Sequence, residues 1–249
     1  MTRVAIIAAL PGELKPLVLG WKHERHNGVD IWRWESDEGE WIAACAGAGV
    51  EAATRAFAEI ERDQVFVQVI SVGWVGALTE EFAAGKVYEV SEVIDARTGE
   101  RFSASNWPES KSDAKMPRLV TSSKVADEAE KRRLAAAYGA ELVDMEAAAV
   151  ARLAAMRGVP FICLKGVSDA LQDQLPDFNR FISKTGQFSL VRFILFILIR
   201  PWYWSALMRM GENSRKAALG IRERLLENLQ RIHEQGALKN RDGDSDFEY

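Results

Sequence analysis

Cysteine, histidine and surplus positive charge are all scarce in this 249-residue chain, and each scarcity removes a class of function. Cys45 and Cys163 are the two cysteines, each inside an apolar run and neither in a Cys-x-x-Cys spacing. They read as reduced core residues, not as a disulfide framework or a metal site. Of the three histidines, His23 and His26 have no third ligand nearby and His233 falls in a charged C-terminal helix. A Ser-His-Asp or Cys-His engine therefore has little to draw on. The formal net charge is −4, which offers no basic footprint for nucleic acid. Gly47-Ala48-Gly49 lacks the rest of the dinucleotide fingerprint. At the N-terminus, only Val4 to Leu10 are apolar before Pro11-Gly12. That run is too short for a signal core and lacks a small-residue cleavage site, so a cytoplasmic setting is expected.

What is present is an alternation of strands and helices. Val4 to Leu10 reads as a buried first strand and Glu13 to Leu19 as the start of a first helix. Val29–Glu35 and Trp41–Ala46 form a hairpin around the polar turn Asp37 to Glu40. Glu51–Arg62 is an amphipathic helix with Ala52, Ala56 and Ile60 on one face. Val65–Val72 is a strand leading to a glycine turn, Gly73-Trp74-Val75-Gly76, and Val87–Ile94 is another strand. Arg97–Pro117 is polar and reads as a long loop with little structure of its own, a common form for an active-site lid. Leu119–Ser122 is a short strand, and Ala126–Tyr138 a helix stopped by Gly139. This order predicts an α/β fold, a three-layer αβα sandwich around a mixed, largely parallel central sheet. One domain is expected over residues 1–238, with a hydrophobic insertion at about 186–212 and a frayed charged tail at 239–249.

The insertion contains Phe193 to Ile199, then Arg200-Pro201-Trp202-Tyr203-Trp204. A membrane span needs about 20 apolar residues, and Arg192, Arg200 and Pro201 interrupt this one. Two readings stay open for residues 188–210: a helix buried in the core or at a subunit interface, or an interfacial helix pair touching lipid.

The chemistry concentrates in two segments. In Glu141-Leu142-Val143-Asp144-Met145-Glu146, acids stand where an apolar strand turns into an alanine-rich helix. In Phe161 to Val167, Ser168-Asp169 closes the next strand. The carboxyl edge of an open α/β sheet is where ligands bind. An ionised carboxylate there can hold a sugar diol, and a shielded one can serve a leaving group as acid. Simpler readings stand beside these: Glu146 as a helix first-turn acid, Asp169 as an N-cap or turn residue, Glu13 as a solvated helix residue.

The motifs Val143-Asp144-Met145-Glu146-Ala147-Ala148-Ala149 and Val167-Ser168-Asp169 resemble the nucleoside phosphorylase superfamily, in particular its methylthioadenosine/adenosylhomocysteine nucleosidases. The resemblance runs from Val4 to about Ala170. It implies cleavage of the N-glycosidic bond of a purine nucleoside, with Glu146 on the ribose hydroxyls, Met145 packed on the sugar and Asp169 serving the departing base. Glu13 matches the water-activating glutamate. Leu10-Pro11-Gly12-Glu13 also looks like the phosphorylases' turn in which a glycine approaches phosphate, so phosphate is a candidate co-substrate, with Arg55, Arg97 and Arg101 as available cations. Ser168, Gly12, Gly73, Trp74 and Val125 complete the implied base and nucleophile pocket. Trp74 stands where the family has a small hydroxyl residue, and Val125 where the nucleosidases stack an aromatic. The stretch from Phe188 through Asn213-Ser214-Arg215-Lys216 looks like the extension of hopanoid-associated phosphorylases, which implies an alternative, phosphorolysis of a lipid-linked adenosyl substrate. No metal or organic cofactor is implied, and a homodimer is usual. A nucleoside-binding or membrane-peripheral protein without turnover is the rival from another class.

Overall fold

The computed structural model describes residues 2–36, 39–62, 65–105, 107, 116–173, 175–183 and 186–243. Strand β1 (Thr2–Ala8) divides the core. Ala5 and Ile7 point to one face of the sheet, and Val4, Ile6 and Ala8 to the other, as the pleat of a strand requires. The first face lies against helices α2 (Val50–Glu61) and α4 (Ala147–Met156), through Ala52, Ala56, Phe57 and Ile60 of the former and Ala147 to Ala151 of the latter. The second lies against α1 (Pro11–Leu14) and α6 (Trp204–Gly243), through Leu14, Ile221 and Leu225. Burial on both faces explains the unbroken apolar run at the N-terminus.

The remaining strands are β2 (Lys22–His26), β3 (Val29–Ser36), β4 (Gly39–Cys45), β5 (Gln68–Ala77), β6 (Val87–Glu89), β7 (Glu92–Asp95), β8 (Arg101–Ser103), β9 (Arg118–Thr121), β10 (Leu142–Asp144) and β11 (Phe161–Asp169). They form one sheet in the order β2-β3-β4-β1-β5-β10-β9-β7-β8, with β11 beside β5 and β6 beside β11. The pairs β1–β4, β1–β5, β5–β11, β9–β10 and β7–β9 are parallel. Antiparallel pairing joins β2 to β3 and β3 to β4, and β7 to β8. It also joins β10 to β5 and β6 to β11. The architecture is the expected three-layer αβα sandwich around a mixed sheet.

Helix α3 (Glu128–Tyr138) is capped by Asp127, which accepts from the Glu130 N–H, and ends at Gly139 with φ +60°. Several local readings need correction. Gly73 to Gly76 is not a turn: β5 continues through it, because β11 pairs along β5 as far as Gly76. Val87–Ile94 is two strands, since β6 pairs with β11 and β7 with β9. The first helix ends at Leu14. The charged edge strand β2 had no hydrophobic pattern to announce it; its pairing to β3 is carried by backbone. Within Arg97–Pro117, β8 pairs with β7, so that stretch is not structureless throughout; residues 106 and 108–115 lie outside the described residues, as does the hairpin turn Asp37-Glu38. The backbone of 239–243 continues α6, and 244–249 lie outside the described residues.

Helix α6 is seated on β11 at a point with no spare room. A Cβ on Gly166 would stand 2.5 Å from the Ala217 Cβ. Gly166→Ala is therefore expected to destabilise the protein by about 1–3 kcal/mol through overpacking. Urea denaturation would show this as a lower midpoint at unchanged slope.

Candidate active site

Glu13 comes from α1, directly after β1, and only 4% of its surface is exposed. Its Oε2 accepts the N–H groups of Ala9 and Leu10, each at 2.8 Å, and its Oε1 accepts that of Trp74, also at 2.8 Å. Burial pushes this carboxyl up from its ordinary value, against the Trp74 and Leu10 N–H groups, the Lys165 charge and the Ala9 N–H. The solvated-helix reading of Glu13 is thereby ruled out. Gly73 is required beside it: φ is +144°, and a Cβ there would meet the Glu13 Oε1 at 2.9 Å.

Glu146 stands at the N-cap position of α4 but makes no cap bond with its side chain. Its Oε1 accepts instead from the Gly49 N–H at 2.6 Å, 97 positions away, and its Oε2 from the adjacent Met145 N–H at 3.3 Å. Burial, then the charges of Asp144 and Glu13, push its carboxyl up to about 8, with the Gly49 N–H and Lys165 opposing. Glu13 and Glu146 are thus close enough to feel each other's charge.

Both feel the charge of Lys165, in the middle of β11 and 1% exposed. Its Nζ is 3.1 Å from the Asp144 Oδ2 and donates to the Ser71 Oγ at 3.0 Å and the Val72 carbonyl at 3.4 Å. Burial works against its charge, yet the Asp144 carboxylate leads a set of negative groups that hold the ammonium above its usual value. Asp144 is itself fixed by the Thr121 hydroxyl at 2.7 Å and the Ala147 N–H at 2.9 Å. Asp144 and Lys165 were missed as site residues. A lone lysine inside the apolar run Phe161–Val167 is the signal that was available, because a buried ammonium must be paired.

Asp169 ends β11 and is 8% exposed. Its Oδ1 accepts from the Ser168 hydroxyl at 2.6 Å, and its Oδ2 is 2.5 Å from the Lys131 Nζ. Lys131, from α3, also donates to the Ala170 carbonyl at 2.7 Å. Asp169 caps no helix, and the Ala170 N–H goes to Asp173. Lys131 had no signal in the sequence, since the charged residues around it on α3 face solvent. The ion pair is packed against Gly76, where a Cβ would meet the Asp169 Oδ2 and the Lys131 Cε at 3.1 Å.

Glu13, Glu146, Asp144 and Lys165 therefore form one cluster, and Asp169, Ser168 and Lys131 a second. Strand β5 links them, with Trp74 bonded to Glu13 and Gly76 beneath Asp169. Two residues of strand separate those points, or about 7 Å. Strands β10 and β11 are not neighbours; each pairs with β5 from its own side. The Trp74 indole leans on Gly12, where a Cβ would meet its Cη2 at 2.9 Å, and its Nε1 donates to the Ser214 carbonyl of α6. Met145 is half-buried beside Glu146. Val125 is held to Asn179 by two hydrogen bonds: its N–H donates to the Oδ1 at 2.8 Å, and its carbonyl accepts from the Nδ2 at 3.0 Å. Gly186 closes over the turn that holds Glu146: the Ala48 N–H donates to its carbonyl at 2.8 Å. Two surface cavities, of about 410 and 250 Å3, lie elsewhere and are not lined by these acids. Among the described residues no group of three or more His, Cys, Asp and Glu is arranged to hold a metal ion. Cys45 and Cys163 are both free and buried, and burial pushes both thiols up.

The raised Glu146 carboxyl makes stability depend on pH. A carboxyl that holds its proton more tightly when folded favours folding below its unfolded value, and that contribution is lost as pH climbs through the folded one. Wild type should therefore lose stability relative to Glu146→Gln between its ordinary 4.5 and about 8. The relative loss is expected to be on the order of 5 kcal/mol at most. Thermal melts of both proteins at pH 5 and pH 9 check the sign.

The family model described as the Phosphorylase superfamily matches residues 3–190. Solved structures with the same fold include 5'-methylthioadenosine/S-adenosyl homocysteine nucleosidase of Helicobacter pylori, at 16% identity and a TM-score of 0.71 over 92% of this chain and 98% of that one. The 5'-methylthioadenosine nucleosidase of Arabidopsis thaliana gives 18% identity and a TM-score of 0.67 over 92% and 96%. Futalosine hydrolase of Helicobacter pylori gives 15% and 0.68 over 92% and 98%. No curated protein matches the chain in sequence.

Proposed function

Since the chain belongs to the phosphorylase superfamily, we propose that it cleaves the N-glycosidic bond of a purine nucleoside of the adenosine type and releases the base. The observation that carries this reading is the buried pair Glu13 and Glu146, mutually repelling and shared by one lysine, at the carboxyl edge of the sheet. Such a cluster is short of positive charge. A sugar that turns oxocarbenium-like as the base departs supplies it, so the cluster favours the transition state over the neutral substrate. In this reading Glu146 holds the ribose hydroxyls, with Met145 on the sugar.

Glu13 orients the nucleophile. Its three N–H partners leave one lone-pair direction for a water. Water is favoured over phosphate by two observations. The Trp74 indole covers Gly12, the glycine that would approach a phosphate. Two of the three arginines on offer are engaged, Arg101 by Glu92 and Arg55 by the Ala46 carbonyl, and Lys165 is held by Asp144. A dianion beside Glu13 and Glu146 would be repelled.

Asp169 serves the base. The Lys131 ammonium and the Asp169 carboxylate share a short contact, so a proton can pass from nitrogen through oxygen to the purine as its bond to the sugar breaks. Ser168 fixes the carboxylate's other oxygen. Structural neighbours act on methylthioadenosine and on futalosine, as their names state, so the 5' substituent is the open variable. The uncovered apolar face of helix α5 (Leu190–Leu198) is a contact surface, with lipid and a second copy of the chain as its candidate partners.

The test is release of free adenine from a panel of 5'-substituted adenosines, with and without phosphate. Equal rates in both conditions are expected, with the free sugar, still carrying its 5' substituent, as co-product. Sugar-1-phosphate formed only with phosphate would overturn the hydrolytic assignment, and nucleoside binding without release would overturn the enzyme.

A further inference from the structure

Helix α5 is apolar on both sides, but only one side is covered. Phe193 and Phe196 pack inward on the short 3-10 turn Phe178–Phe181, with ring centroids 5.4 Å apart for Phe178 and Phe193 and 5.2 Å for Phe181 and Phe196. Val191, Leu195 and Leu198 lie on the opposite stripe and are 70%, 62% and 59% exposed. A helix greasy all round is a helix with something on both sides. The chain then turns at Pro201 into α6, the two helices meeting at 109°, and Trp202 at the corner is 66% exposed. No single helix among the described residues is long and apolar enough to cross a membrane.

Charge decides what covers this face. The chain as a whole is acidic, yet from Phe178 to Gly211 it has no Asp or Glu, while Arg180, Lys184, Arg192, Arg200 and Arg209 fall within that stretch. Arg180 and Arg209 are paired with Asp177 and Asp173, which flank the stretch. Arg192 and Arg200, in the elbow itself, face no carboxylate among the described residues, and Arg200 lies over the Phe196 ring at 3.8 Å. Two copies meeting face to face would set arginine against arginine. An anionic interface answers both features at once, taking aliphatic side chains below the headgroups and arginines among them, with tryptophans at the boundary.

We propose that the α5–α6 elbow docks this protein on an anionic lipid surface, lying in the interface without crossing it. This concerns where the enzyme works and is independent of its chemistry. The test is flotation of the full chain with vesicles of phosphatidylcholine alone and of phosphatidylcholine mixed with phosphatidylglycerol. Partitioning onto the mixed vesicles should exceed that onto the neutral ones by about tenfold or more, as two arginines near a charged surface imply. Leu195→Glu combined with Trp202→Glu should abolish it. Both positions are exposed, so melting temperature and adenine release from a water-soluble nucleoside should not change. Equal partitioning on the two vesicles, no partitioning, or partitioning retained in the double variant would overturn the proposal. So would light scattering that shows a dimer split by the same substitutions with no vesicle binding.

Discussion

Glu13→Gln should slow base release by about a thousandfold, within the 10²–10⁴ range for loss of a positioned general base. The side chain keeps its shape, but the amide cannot serve the same partners. Oε2 accepts two N–H groups and Oε1 a third, so whichever end the new NH2 takes, it faces a donor. A second cost follows, about 1–3 kcal/mol of stability from the unsatisfied backbone N–H. The two effects separate cleanly. A thermal melt reports the lost hydrogen bond, while kcat at a temperature well below the melt reports the lost base. A variant that melts lower but turns over at the parent rate would leave Glu13 a structural residue only.

The second large effect is at Asp169. Asp169→Asn should cut release by roughly 10²–10⁴, because the amide cannot pass a proton from Lys131 to the purine. It also strands a buried ammonium, since Lys131 is only 4% exposed. Removing one partner of a buried pair costs about 3–5 kcal/mol, whereas replacing both by neutral groups costs far less. The double variant Lys131→Met with Asp169→Asn should therefore regain much of the stability that the single change loses. It should regain none of the activity. If activity returned along with stability, Asp169 would be a packing partner and the assignment of the acid would fall. Measuring kcat and melting temperature on all four proteins of the cycle decides it.

These residues also show how far the sequence alone reached. The alternation of strands and helices was readable wherever a segment is buried: β1, α2 and β11 carry long apolar or amphipathic signatures. Strand β2 was not readable, because an exposed edge strand is held by backbone hydrogen bonds and leaves its side chains free to be charged. Gly73 to Gly76 was misread as a turn because glycine signals a break locally. Whether it is one depends on pairing with β11, which lies some ninety residues away. Within the site, Glu13, Glu146 and Asp169 stood out by motif. Their partners did not. Gly49 and Lys131 acquire meaning only when the chain folds them onto an acid from another element. Lys165 was the exception that composition could have exposed, a single charge amid apolar neighbours in one strand.

The ammonium of Lys165 answers to Asp144, Glu146 and Glu13 together, one positive charge among three carboxyls, so the cluster holds a proton on Glu146. Ligand capture and proton traffic are consequently one event. A bound iminosugar bearing a positive ring nitrogen should expel the proton from Glu146, and calorimetry at neutral pH should then give a heat that varies with the ionisation enthalpy of the buffer. A neutral sugar of the same shape should give a heat indifferent to buffer.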